Sequence, residues 1–194
     1  MTRIKRIKKT NYIVDGIEYK TKTLADAHTY YKQAKKDGII DSFELSTNKT
    51  KGKYHLYKPV INDMKFDSLM EANYYIYISY LLKDKQIKQF ERQVPYVLQK
   101  GYTNKYTGKK ISAIKYIADF VITYNDNTIQ VIDVKGKKTT DFKLKEKMFG
   151  FVYPEYEFKC VQWSDKHNKW MNLDNILKEE RALKREKAKA RKAG

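Results

Sequence analysis

YIADFVITYNDNTIQVIDVKG, residues 116–136, is the stretch whose reading decides the fold. Apolar residues alternate with others up to Tyr124, the pattern breaks at Asn125-Asp126-Asn127, and it resumes as far as Val134. That predicts a β-hairpin. Centred on Asp126, the hairpin sets Asp119 opposite Asp133 on one face, where paired Cβ atoms stand about 5 Å apart. Lys135 lies two residues past Asp133 and shares that face. Aspartates flanked by Ala118 and Phe120, and by Ile132 and Val134, are costly to bury alone, so they open onto a cleft or pair with a cation. The first alternative is a hard-oxygen site for a divalent metal, with Asp119, Asp133 and the carbonyl of Val134 as ligands and Lys135 at a phosphate. The second is a structural ion pair with Lys135, and one lysine does not balance two acids.

Upstream of the hairpin, KGYTNKYTGKK at 100–110 reads as a basic, turn-rich loop, with Lys109 and Lys110 as candidate phosphate contacts. QFERQVPYVLQ at 89–99 reads as a strand, and Pro95 within it points to a sheet edge or a bulge. Before it, residues 69–83 form a helix with Ser68 as its N-cap, and Glu71 at the third helical position completes a capping box. Glu71 is also a candidate metal-facing carboxylate, because a first-turn residue can point into a neighbouring sheet.

The surroundings of this helix are echoed nearer the N-terminus. SLMEANYYI at 68–76 aligns with TLADAHTYY at 23–31, and QIKQFE at 86–91 with IIDSFE at 39–44. A duplicated strand–helix–strand unit is the expectation. On this alignment Thr23 caps the first helix, Asp26 answers Glu71, and a short hairpin turns at Asp15-Gly16. Residues 39–45 read as a strand, 46–55 as an exposed linker, and MTRIKRIKK at 1–9 as a basic arm.

Downstream, Gly136-Lys137-Lys138-Thr139-Thr140 leads into a helix with Leu144, Met148 and Phe149 as its apolar stripe, ended near Gly150 or Pro154. Lys137, Lys138, Lys143 and Lys147 follow directly on the acidic pair and are candidate nucleic-acid contacts. YEFKCVQW at 156–163 alternates as a strand, in which Cys160 reads as a small core residue and not as a nucleophile. A terminal helix begins near Asn172 with Leu173, Ile176, Leu177 and Leu183, and from Lys178 onward it is expected to fray into a basic tail.

Composition narrows the partner. The chain of 194 residues holds 41 Lys and Arg against 23 Asp and Glu, a formal net charge of +18. Such a field favours a polyanion, DNA or RNA ahead of an acidic membrane. With Cys160 as the only cysteine there is no intramolecular disulfide and no thiolate metal cluster, and the scattered histidines give no zinc-like spacing. No apolar run has transmembrane length, so a soluble protein of a reducing cytoplasm is expected, without a membrane partner.

Asp119, then Asp133-Val134-Lys135, resembles the signature of the PD-(D/E)XK nuclease superfamily, with Ala118 in place of the usual proline. Residues 65–163 resemble a small phage-encoded family of that superfamily, long a domain of unknown function. The matching motifs are Phe66-Asp67-Ser68-Leu69-Met70-Glu71-Ala72, Ile117-Ala118-Asp119-Phe120 and Asp133-Val134-Lys135-Gly136. Relatives include Holliday-junction resolvases, phage endonuclease I and transposon end-cutting nucleases. The resemblance implies an α/β, restriction-endonuclease-like core with a mixed central sheet flanked by helices, here at 61–177. Residues 1–60 would add the basic arm and a degenerate repeat, and 178–194 the basic tail.

By the same resemblance Glu71, Asp119, Asp133 and Lys135 form the catalytic set, and Mg²⁺, for which Mn²⁺ substitutes, is the cofactor. Branched or junction DNA would be cut to 5′-phosphate ends by a homodimer during phage recombination, replication or packaging. Two alternatives stand beside this one. A non-catalytic DNA-binding protein on the same fold would be a phage regulator or anti-host factor. A transposase-like end-cutting subunit would need a dedicated protein partner. An RNA-directed role explains the charge but lacks a recognisable RNA-binding motif.

Overall fold

The computed structural model describes residues 12–46 and 57–193. The basic arm at 1–9 and the linker after Ser46 lie outside the described residues. The chain divides into one unit ending at Lys83 and a second beginning at Asp84.

In the first unit, short hairpins lead into helices. β1 (Tyr12–Val14) and β2 (Ile17–Tyr19) turn through Asp15 and Gly16, with φ of 49° and 78°. They lead into α1 (Lys22–Lys36), after which comes β3 (Phe43–Glu44). β4 (Val60–Ile61) and β5 (Met64–Lys65) turn through Asn62 and Asp63, with φ of 48° and 61°, and lead into α2 (Leu69–Lys83). Two consecutive left-handed residues make the turn whose twist suits a two-residue hairpin, and Gly, Asn and Asp tolerate that conformation best. β3 pairs antiparallel with β4 in a β3-β4-β5 sheet.

The two hairpin–helix segments share one spacing in their bounds and turns. Lys22 answers to Leu69 and Lys36 to Lys83, a constant separation of 47 residues. The same separation matches the two turns, and it matches Gly38 with Lys85, which are both left-handed at φ of 67° and 57°. It agrees with the alignment of the strand entries, 86–91 with 39–44, and corrects that of the helices, 68–76 with 23–31. The cap of α1 is Thr21, whose Oγ1 accepts from the Leu24 N–H, and not Thr23. Glu71 stands where the first segment has Leu24, not Asp26, and both Glu71 and Leu24 are buried. The strand expected at 39–45 shrinks to Phe43–Glu44 because the N–H groups of Asp41 and Ser42 donate to Asn62 Oδ1. Backbone donors spent on a side chain cannot extend a ladder.

The second unit is built on a mixed sheet. Its elements in chain order are β6 (Ile87–Gln99), the small pair β7 (Tyr102–Thr103) and β8 (Lys110–Ile111), β9 (Ile114–Tyr124), β10 (Ile129–Val134), α3 (Thr140–Val152), β11 (Glu157–Ser164), β12 (Lys169–Asn172) and α4 (Leu173–Ala193). The main sheet runs β12-β11-β10-β9-β6, with β10 and β11 parallel and the other pairs antiparallel. α3 is the crossover that a parallel pair requires. β6 fuses the two strand segments read at 86–91 and 89–99, and it lies at the sheet edge, where Pro95 costs no ladder bond. Among the described residues no helix is long and apolar enough to cross a membrane.

Phe142 and Phe149 of α3, with Leu173 of α4, close one core against Tyr116, Ala118, Val121, Val131 and Cys160 of the sheet. The buried stripe of α3 is therefore aromatic, and Leu144, expected inside, is 58% exposed. The aromatics win because they meet further rings, Tyr116 and Phe158, edge-on or tilted. α4 stays helical to Ala193 in place of the expected frayed tail, in keeping with a sequence of strong helix formers, Ala, Lys, Arg, Glu and Leu.

Tyr116 and Ala118 share this core with Val121, so the in–out alternation of β9 slips by one residue between them. The slip falls at Asp119. On the neighbouring strand Gln93 is left-handed at φ 52°, and the pairing runs from Arg92↔Phe120 to Val94↔Ala118 on either side of it. A paired irregularity of this kind re-aims a side chain without changing register.

Candidate metal and phosphate site

The hairpin has the register read from sequence, Ile129↔Thr123 through Ile132↔Phe120, which puts Asp119 across from Asp133. The ladder stops one step short of that pair. The next hydrogen-bonded pair would join Val134 to Ala118, but the Val134 N–H donates to Asp119 Oδ2 at 2.7 Å. The carboxylate thus sits between the strands where they part. This corrects the simple picture of two acids facing one another on a flat ladder, and the slip at Asp119 is the reason.

Asp133 is 4% exposed. The Tyr116 hydroxyl donates to its Oδ2 at 3.0 Å, and Lys135 Nζ lies 2.6 Å from its Oδ1. That lysine forms a close ion pair with Oδ1. Burial pushes the Asp133 carboxyl above the ordinary carboxylate range, Lys135 and the Tyr116 hydroxyl pull it back, and the net shift is upward. Lys135 is held on its other side by the Phe142 ring, 3.5 Å from Nζ to the centroid, with its side chain 26% exposed. Cys160 pairs with Asp133 across the parallel ladder, and burial together with that carboxylate pushes its thiol up to about 12. It is a neutral wall of the site, as its sequence context indicated.

The Val134 carbonyl can be placed by its peptide plane. The Lys135 N–H donates to Val161 O on β11, and no peptide in the described chain is cis. In a trans peptide the C=O and N–H point opposite ways, so the Val134 carbonyl points toward the β9 side, where the Asp119 carboxylate lies.

Glu71 belongs to the first unit. Its N–H donates to Ser68 Oγ at 3.1 Å and its Oε2 accepts from the Asp67 N–H at 3.3 Å. The capping box is realised with Asp67 as the returning donor, and Glu71 is 5% exposed.

The lysines separate into two groups. Lys109, Lys110, Lys137, Lys143 and Lys147 are exposed. Lys138 is not: its side chain is 8% exposed and pairs with Glu146 at 2.7 Å and Asp174 at 2.9 Å. Burial alone would lower its pKa, but the two carboxylates outweigh it and hold the ammonium charged. Lys138, read from sequence as a nucleic-acid contact, is a clasp joining the β10–α3 loop to α3 and the root of α4. A Lys138→Met substitution should cost about 2 kcal/mol, below the range for a fully buried pair because Asp174 is half exposed. It should leave the salt dependence of DNA binding unchanged; a shallower dependence would return Lys138 to the phosphate contacts.

Sequence reasoning missed Tyr116 and Glu146. Tyr116 carries the visible signal, an aromatic three residues before the first aspartate on the same strand. Glu146 raises the Asp133 pKa through its charge and is paired by Lys138, a long-range contact with no local pattern.

Among the described residues no group of three or more His, Cys, Asp and Glu side chains is placed to hold a metal ion. Mg²⁺ demands less than that, since it retains several waters and takes one or two carboxylates. Asp133, the Asp119 carboxylate and the Val134 carbonyl are hard oxygen donors, so the chemistry of the donor set fits such an ion.

A family model described as "Protein of unknown function (DUF1064)" matches residues 51–171, well over half of the chain. The match contains all four residues of the set read by resemblance, and it bears out that family resemblance. It leaves the first hairpin, α1 and α4 outside. No curated protein matches the chain.

Proposed function

We propose that this chain, which belongs to the DUF1064 family, is a divalent-metal-dependent endonuclease that hydrolyses DNA phosphodiesters on a restriction-endonuclease-like core. The observation that carries the reading is the buried Asp133 carboxylate, paired with Lys135, beside an Asp119 carboxylate that takes the Val134 N–H from the ladder. A purely structural pair with Lys135 would not need the second acid or the parted strands.

Asp133, Asp119 and the Val134 carbonyl would hold Mg²⁺, which when bound supplies Lewis acidity at a phosphate oxygen. The chain's own groups do the rest. Tyr116 fixes the orientation of Asp133 through Oδ2. The Phe142 face and the Asp133 carboxylate fix Lys135, whose partly exposed ammonium is set to stabilise charge developing on the phosphate. Glu71 joins the catalytic set by resemblance. The N-terminal hairpin–helix segment is a duplicate in which the equivalent of Glu71 is Leu24, so it lacks the acid and serves binding or assembly. Branched DNA is the favoured substrate by analogy with junction-cutting relatives.

The test is a panel of labelled linear duplex, single strand, flap and four-way junction, each with Mg²⁺, Mn²⁺ or EDTA. Cleavage that requires metal and leaves 5′-phosphate ends is expected, strongest on the branched substrates. The ion pair between Lys135 and Asp133 favours one competing reading, a DNA-binding protein that uses the fold without catalysis. Binding of every substrate with no cleavage under any metal would establish that reading instead.

A further inference from the structure

α4 starts as a packed helix and ends as a free one. Leu173 is fully buried, Leu177 packs on the core, and Glu179 is tied to Lys166 at 2.9 Å and to His167 at 2.8 Å. From Arg181 to Arg191 every residue is exposed. This free part carries Arg181, Lys184, Arg185, Lys187, Lys189 and Arg191 against the single acid Glu186. Arg181, Arg185 and Lys189 follow one another at four-residue steps, about 6 Å apart along one face.

Strong helix formers hold this rod, but its charges work against it. Arg181 and Arg185, Arg185 and Lys189, and Lys187 and Arg191 are like charges one turn apart, each pair unfavourable to the helix. A helix this short without tertiary packing is marginal in water. A lattice of phosphates reverses both terms by neutralising the face. A membrane surface does not suit the segment, because Leu183 is its one large apolar side chain and an interfacial helix needs an apolar face.

We propose that residues 181–191 are a duplex-binding arm, helical along the DNA phosphates and separate from the cleavage site. The proposal takes DNA as partner from the reading above but does not depend on cleavage. It is tested on the full-length chain carrying Arg181→Gln, Arg185→Gln and Lys189→Gln. Glutamine keeps the helix propensity of the residues replaced, and melting should not fall, because these positions are exposed and the variant loses only like-charge pairs.

Binding to a short labelled duplex is followed in EDTA from about 50 to 200 mM salt. The plot of log affinity against log salt should become shallower by about 0.9 for each of the three charges. Equal slopes in the two proteins overturn the arm, as does a defect seen with polyglutamate or anionic vesicles in place of DNA. Normal cleavage with equal slopes removes the arm and keeps the nuclease; a reduced slope in a protein that cuts nothing does the reverse.

Discussion

Asp133→Asn should abolish metal-dependent cleavage and at the same time make the protein more stable at neutral pH. The two effects share one cause. Asp133 is 4% exposed, with one carboxylate oxygen held by Tyr116 and the other 2.6 Å from the Lys135 ammonium, and its pKa is still raised by burial. Burying an ion in that state costs more than its partners return. Asparagine keeps the shape and still accepts from Tyr116, while Lys135, partly exposed, can be hydrated. A gain is expected because the charge left behind, on Lys135, is 26% exposed and is not stranded in the core. Activity moves the other way. A carboxylate ligand supports several kcal/mol of charge stabilisation at phosphorus, so the loss should reach about a thousandfold. Thermal melts and cleavage rates of the same preparation decide it, and a variant that cuts normally would remove Asp133 from the site.

The sign with pH follows from the direction of the Asp133 shift. Its folded-state pKa lies above the ordinary value, so the native protein binds the proton more tightly than the unfolded chain. The stability tied to that proton is fully present below the unfolded carboxylate pKa and is lost as pH rises through the folded one. The stability gap between Asp133→Asn and wild type should therefore be small at about pH 4 and widen toward neutrality. Asp15, Asp37, Asp126 and Glu179 are shifted the opposite way by hydrogen bonds and nearby charges, and so they lose stability on acidification. They are common to both proteins and cancel in the difference. A gap that is constant with pH would show that Asp133 titrates normally.

What the sequence made legible follows the range of the interactions involved. The hairpin register needed only period-two alternation and a turn of Asn and Asp, and it is correct. The helix at 69–83 was bounded by its own cap, Ser68 with Glu71. The alignment of the two hairpin–helix segments failed at Glu71 because it followed helix composition. The left-handed residues, Asp15-Gly16 with Asn62-Asp63 and Gly38 with Lys85, carry the true register. Asn62, Asp63 and Lys85 give no glycine signal. The slip at Asp119 was invisible for the same reason, since Gln93 is an unremarkable strand residue by composition yet sits at φ 52°. Lys138 reads as one more lysine until Glu146 and Asp174 arrive from two other elements. Tertiary partners, not local patterns, divide the lysines into those free for phosphate and those already spent.

Lys135→Met should be the second severe lesion, and its pairing with Asp133→Asn separates catalysis from stability. Removing the ammonium takes away the charge placed to stabilise a developing phosphate oxyanion. Losing one such preorganised group costs about 10² to 10³ in rate. It also leaves Asp133 buried without a cation. Lys135 is among the influences that lower the Asp133 pKa, so its loss moves an already raised value further up. At neutral pH the single variant should be destabilised by about 2 kcal/mol, less than for a pair with both members buried, since Lys135 is 26% exposed. The penalty should fade as acid protonates Asp133. In the double variant the stranded charge is gone, so stability should return to near that of Asp133→Asn alone, while cleavage remains absent. The double-mutant cycle for stability then shows a coupling of about 2 kcal/mol, within the range for contacting charges. Additive stabilities would mean that the 2.6 Å approach of Lys135 to Asp133 carries no energy, and would detach the lysine from the site.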